Sequence, residues 1–200
     1  MAGCVTGRRT VPLPIPSVGG TGSTGKGKMA IGSVSDNRRF ENKPSSPSTP
    51  SIKGDVNSLT AAQRASFIGR QRNTWGKAIG DIALPEGESV ETRVRELVRS
   101  AFATRGYTVT TELGGAATVD VVIDEFWAWF TPGFATVAFE VRVGCTVTLR
   151  RGGAATEFTI QGQGKNLGQV ARNANWQLAY TRAFQDFLQK LDAELESHGF

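Results

Sequence analysis

The sequence predicts an α+β two-layer sandwich, a mostly antiparallel sheet covered by two helices, with an extended N-terminal tether. Three observations predict it. Residues 89–106 and 173–197 each carry one apolar stripe at helical spacing. Between them, three segments alternate apolar and polar residues with period two. Short Gly- and Pro-containing stretches separate those segments, as hairpin turns require.

Residues 4–27 are rich in Gly, Pro, Ser and Thr, with a few basic and aliphatic residues. VPLPIPSVGG has proline at every second place, cannot be helical, and reads with its neighbours as a flexible tether over 1–27. Within GGTGSTGKGK, Gly20, Gly25 and Lys26 match the spacing of a phosphate-binding loop. That loop needs a Ser or Thr next and then a helix start, whereas Gly27 and a strand-like stretch follow. A linker is the better reading.

A single domain is expected over 28–200. KMAIGSVSD, residues 28–36, reads as its first strand, with Met29, Ile31 and Ser33 on one side. Residues 36–66 form a connection too long to be a mere connector. Residues 67–84 read as a hairpin around Asn73–Gly76, or as a loop between two short extended pieces. In the first helix Val90, Val94, Leu97, Val98, Ala101 and Phe102 share a face, Ser89 caps the start and Gly106 stops the end. YTVTT is a short strand, and TVDVVIDEFWAWF, FATVAFEVRVGCTVTLRR and ATEFTIQGQGKN are the three long ones. The last helix buries Trp176, Tyr180, Ala183, Phe184, Phe187, Leu188, Leu191 and Leu195.

Charge is divided along the chain. Residues 1–80 hold 12 Lys and Arg against 3 Asp and Glu, and residues 81–200 hold 11 against 15. The basic half could meet an anionic surface or be a solvated tail. Mean hydropathy is −0.22, and no run approaches the roughly 18–20 apolar residues of a membrane-spanning helix.

Catalytic chemistry finds little footing. His198 is the one histidine and stands third from the end, which excludes a rigid Ser-His-Asp triad or a multi-histidine metal centre. Cys145 shares a strand face with Val141, Val143, Val147 and Leu149 and reads as a small buried apolar side chain. Asp120 and Asp124, on one strand face, stand about 13 Å apart, too far for a glycosidase-type pair. Glu125 falls on the Val119, Val121 and Ile123 face, so it lies near a strand end, at a bulge, or in a pair. No cofactor and no metal is expected.

The aromatic run FWAWF covers both faces of one strand end. Since helices cover one face, the remaining aromatic surface must be capped by the long loop, by a partner, or left exposed. DNRRF and GRQRNTW interleave basic and aromatic residues, but no helix-turn-helix, zinc or RNP pattern accompanies them, so nucleic acid is not the expected partner.

The stretch from GRQRNTWGKAIGDIALPEGESVETRVRELVRSAFATRGYTV through the strands to NWQLAYTRAFQDFLQKLDAEL resembles the YajG-type bacterial envelope lipoproteins. The likeness spans roughly residues 28–196. Its most specific parts are the R-G-Y helix end and the preceding G-D-I-x-L-P. The resemblance implies a non-enzymatic lipoprotein of the outer membrane, on the periplasmic side, and brings no catalytic residues. It also implies a Leu-Ala-Gly-Cys lipobox. Met1-Ala2-Gly3-Cys4 matches the last three places. Met1 stands where Leu is usual, and a leader upstream of Met1 would account for that. Cys4 is then the lipidated residue.

Expected partners are other envelope proteins or copies of this chain, as in a subunit or assembly factor of a larger complex. The alternatives are an auxiliary protein that cradles a lipid or glycolipid between sheet and helices and, if Met1 is the native start, a cytosolic nucleic-acid-binding protein. Binding residues concentrate on loops, and Arg and Trp anchor interfaces. The expected partner surface is therefore Arg38, Arg39 and Phe40 with Trp75, Trp127 and Trp129.

Overall fold

The computed structural model describes residues 7–16, 25–73, 77–112, 117–132, 136–168 and 172–200. Its elements run β1 (Arg9–Thr10), β2 (Lys28–Asp36), α1 (Ala61–Ser66), β3 (Phe67–Arg72), β4 (Ala78–Ala83), α2 (Val90–Thr104), β5 (Thr108–Thr110), β6 (Ala117–Pro132), β7 (Val137–Arg151), β8 (Ala154–Gly168) and α3 (Asn173–Ser197). All eight strands join one sheet. The architecture is the α+β sandwich, with α2 and α3 on one face.

The period-two segments form the long antiparallel meander β6–β7–β8. Val119, Val121 and Ile123 of β6 and Val141, Val143, Cys145, Val147 and Leu149 of β7 point toward the helices and are buried. Burial pushes the Cys145 thiol well above its ordinary range, so it is held neutral and unreactive. The predicted stripes of both helices are buried residue for residue. Ser89 and Thr92 form a reciprocal cap on α2, and Gly106, at φ 89°, ends it.

Helix α3 also manages the exposed edge of β8. Arg182 donates to the Lys165 carbonyl, Asp186 accepts from the Gln163 amide at 2.8 Å, and Lys190 donates to the Gln161 carbonyl at 2.9 Å. Four helical residues rise about 6 Å, close to the roughly 6.7 Å of two strand residues. Side chains at i, i+4 and i+8 therefore keep step with alternate strand residues. Gly162 and Gly164 permit the approach: a Cβ at Gly164 would lie 2.0 Å from the Ala179 carbonyl oxygen.

The other side of β6 is forked. Its first half pairs with β2, which pairs with β5, and all three run parallel. Its second half pairs with β3 in parallel, followed by antiparallel β4 and parallel β1. These parallel pairings join segments distant in sequence and lie outside the expected meander. The β3–β4 hairpin is observed; its turn lies outside the described residues.

One expectation needs correction. Residues 7–16 are not a free tether. β1 pairs with β4, and Val11 and Leu13 are fully buried with Ile15 packed beside them. The intervening prolines lack the N–H that a ladder would use and face outward, which suits a sheet edge. The long connection over residues 36–66 carries two short helical turns. Asp55 caps a 3₁₀ turn at Val56–Ser58, and Thr60 and Gln63 form a capping box on α1.

A bulge in β2 between Ile31 and Val34 is gripped from both faces. Arg95 donates to the carbonyls of Ile31 and Gly32 at 3.2 and 3.1 Å. On the other face Asp120 accepts from the Ser33 amide and hydroxyl, both at 2.7 Å, and from Arg150. Burial opposes the Asp120 charge, but Ser33 and Arg150 outweigh it and hold the carboxyl below its usual range. The folded pKa is thus below the unfolded one. The stability it contributes is present above about pH 4 and lost as pH falls through the folded value. Asp120→Asn should flatten the acid limb of stability measured by urea unfolding; unchanged acid sensitivity would contradict this. Gly164→Ala should cost about 1–3 kcal/mol by overpacking, read in the same assay.

Candidate functional site

The site is built around a break in the ladder. β2 leaves β6 after Asp36, with one further bond from the Asn37 amide to the Ile123 carbonyl at 2.9 Å. β3 joins β6 at Gly69 opposite Ala128. Arg38 fills the interval. Its guanidinium carries five N–H donors, and all five are used. Nε and Nη2 fork onto the Asp36 carboxylate at 2.8 Å each. Nη1 donates to the carbonyls of Phe67 at 2.7 Å and Phe126 at 2.9 Å, and Nη2 donates to Arg64 at 2.9 Å. The Tyr180 hydroxyl takes the neighbouring Ile68 carbonyl.

β6 carries its own irregularity here. Ile123 faces Cys145 and Glu125 faces Gly144, which leaves Asp124 as the bulged residue. The bulge resolves the placement of Glu125, which moves to the outer face. It also shifts the phase of the aromatic run. Phe126, Ala128 and Phe130 join the main core, while Trp127 and Trp129 turn to the outer face.

The long loop covers those two indoles. Ile52, Val56, Phe67, Ala83, Trp127 and Trp129 form a second core, with Phe40 and Leu59 packed against it. Phe40 meets Trp127 edge to face at 5.7 Å, and the Arg38 and Arg64 guanidiniums lie 5.2 and 5.7 Å from its ring. Trp127 donates to the Pro47 carbonyl at 3.3 Å. Asn42 ties the loop's two limbs by donating to Asp55 at 2.8 Å and accepting from the Val56 amide at 3.0 Å.

Beside the covered indoles a cleft of about 360 Å³ opens between the loop and the outer face of the sheet. Asn37, Arg39, Glu41 and Thr49 line one wall and Asp124, Glu125 and Arg142 the other, with Trp127 at its base. Arg142 lies 3.7 Å from Glu125 and 5.3 Å from the Trp129 ring. It separates this cleft from a smaller one of about 250 Å³ that includes Glu140, Gln163 and Lys165. Thr146 donates to Asp124 at 2.8 Å, and Gln161 donates to Glu125. The Arg39 and Glu41 side chains have no partner among the described residues. Among those residues no cluster of His, Cys, Asp and Glu could hold a metal ion.

The expected partner surface is thus redistributed. Arg38 is 3% exposed, so it is corrected from a surface anchor to an internal bracket. Trp127 and Trp129, at 1% and 6% exposed, and the half-buried Phe40 are likewise corrected to members of the second core under the loop. Arg39 is exposed and lines the cleft. Cys4 and Trp75 lie outside the described residues. Sequence reasoning missed Arg142, Glu41 and the approach of Asp124 and Glu125 to the loop. A glycine in the β7 alternation, Gly144, was the available signal of a bulge opposite.

No family model and no curated protein matches this chain. Solved structures do align with it. One is described as an uncharacterized protein, with 9% identity, 95% of this chain and 98% of that chain covered, and a TM-score of 0.49. A second, from Xanthomonas campestris and assigned to the family DUF330, has 15% identity, 94% and 87% coverage, and a TM-score of 0.36. A third, from Helicobacter pylori, is provisionally described as a neuraminyllactose-binding hemagglutinin homolog. It has 10% identity, 92% and 95% coverage, and a TM-score of 0.30.

Removing Arg38 strands Asp36 and three backbone carbonyls. Arg38→Met should cost about 3–5 kcal/mol in urea unfolding, and Arg38→Lys should recover little, because an ammonium cannot span the fork. Arg39→Ala should stay within about 0.5 kcal/mol. Equal costs at 38 and 39 would contradict the assignment.

Proposed function

We propose that this chain is a non-enzymatic protein of the bacterial cell envelope, held by a lipid on Cys4 at the periplasmic face of the outer membrane. Its cleft takes up a segment of another envelope protein. The cleft carries the reading. It presents charges of both signs that are unpaired among the described residues, Arg39 and Glu41, beside an internally paired wall of Asp124, Glu125 and Arg142. Side chains of mixed charge on a polypeptide fit such a lining. The lipobox-like Met1-Ala2-Gly3-Cys4 and the YajG-type resemblance support the compartment. A lipid cradled between sheet and helices finds no support, since Trp176, Tyr180, Phe184 and Phe187 fill that space. No helix among the described residues is long and apolar enough to cross a membrane.

Expressed from its own locus, the protein should fractionate with the outer membrane and carry a lipid mass on Cys4, and Cys4→Ala should release it to the periplasm. The double change Arg39→Glu/Glu41→Lys should abolish in-cell crosslinks from the cleft while leaving Tm unchanged. A cytosolic protein with a free Cys4 thiol would overturn the anchor. Unaltered crosslinks in the double variant would overturn the cleft.

A further inference from the structure

The fold converts the charge division of the chain into a basic end of the molecule. Strands β1, β4 and β3 form one tip of the forked sheet and carry Arg9, Arg70 and Arg72; Asp81, their one carboxylate, is buried with Arg70, 3.7 Å from its Nε. Arg8 is exposed beside them, 4.7 Å over the Phe67 ring. The Lys53 amide bonds both oxygens of Asp81 at 3.1 Å, which places its exposed side chain on the same hairpin. Lys77 is exposed where the hairpin turns, its amide bonded to Asn73 at 2.9 Å. The Lys53 and Lys77 ammonium groups have no partner among the described residues. The acidic run Glu86, Glu88 and Glu91 follows β4 at its opposite end.

The same tip is where the chain arrives from Cys4. Arg9 stands opposite Ile82 in parallel register. Gly7 lies so close to Gly80 that a Cβ there would meet its carbonyl oxygen at 2.4 Å. Going backward, the chain therefore runs along β4 toward the hairpin turn. Cys4 is three residues before Gly7, and three residues reach at most about 11 Å.

We propose that the β1–β4–β3 tip docks on the phosphate headgroups of an anionic bilayer, through its exposed cations Arg8, Lys53 and Lys77. The orientation rests on the reading that Cys4 is the anchor; the docking chemistry does not. A lipid on Cys4 leaves no long spacer, because β1 is paired with β4 and Val11 and Leu13 are buried in the domain. The tip is then held within at most about 11 Å of the lipidated residue, a distance comparable to the Debye length of about 8 Å at physiological ionic strength. Each Lys or Arg so placed strengthens surface partitioning roughly fivefold. The cleft, on the outer sheet face beneath the long loop, remains open to the periplasm.

The test uses the full chain carrying Cys4→Ala, so that no lipid contributes. The probes are vesicles of phosphatidylglycerol with phosphatidylethanolamine, vesicles of phosphatidylcholine alone, and duplex DNA. The chain should sediment with the anionic vesicles at low salt, release as salt rises, and ignore phosphatidylcholine. Lys53→Glu/Lys77→Glu should weaken this binding about twenty-fivefold or more. Lys28→Glu/Arg99→Glu, the same charge change at exposed positions elsewhere, should weaken it far less. Circular dichroism should show both variants folded. Equal losses in the two double variants would mean that net charge and not this tip is read, and would overturn the proposal. Tighter binding to DNA than to anionic vesicles, or no vesicle binding, would also overturn it. Membrane fractionation of the wild type reports on the Cys4 anchor separately, so either idea can fail while the other stands.

Discussion

A buried guanidinium holds the fork of this sheet closed. Arg38 sits where β2 has left β6 and β3 has not yet joined it, and it takes the backbone carbonyls of Phe67 and Phe126 that no strand reaches. Burying a charge is costly unless it is paired and every donor is satisfied. Asp36, two residues back at the strand end, supplies the pair in bidentate geometry. The rest of the region follows. With Arg38 turned inward, its neighbour Arg39 faces solvent, and Phe40 returns to the Trp127 edge. The loop is thereby laid over the outer face of the sheet, and its free rim becomes one wall of the cleft.

The opposite wall depends on one extra residue. Without the bulge at Asp124, the alternation of β6 would send Trp127 and Trp129 toward the helices and Phe126 away from them. With it, each face of the strand end receives aromatic side chains, and each has its own cover. The sheet is therefore sandwiched twice at this end, by α3 on one face and the loop on the other. Glycine recurs where covers press closest. A Cβ at Gly69 would lie 2.7 Å from the Ala128 carbonyl oxygen, where β3 enters beside β6.

What was legible in the sequence is what local periodicity encodes. The α2 and α3 stripes, the Ser89 cap, the Gly106 stop and the β6–β7–β8 meander each follow from residues a few places apart. The parallel pairings of β2 and β3 with β6 do not, since nothing near either strand states which distant edge it will meet. VPLPIP reads as extended whether free or docked; the burial of Val11 and Leu13 distinguishes the two, and composition does not report burial. Arg38 has the same ambiguity. A charged residue in a loop belongs at the surface by default, and its role is set by carbonyls 29 and 88 residues away. A local hint was present in Asp36-x-Arg38 at a strand end followed by Phe40, an ion pair next to an apolar anchor. Arg39, by contrast, is read correctly by the default.

The claim that the Arg38 bracket organises the loop and the second core is tested most directly by residue-resolved hydrogen exchange on Arg38→Met and wild type under native conditions. The account predicts that protection falls selectively in residues 37–73 and at the Trp127 indole, while β7, β8 and α3 keep theirs. Uniform loss of protection across the chain, or unchanged protection in the loop and β3, would contradict it.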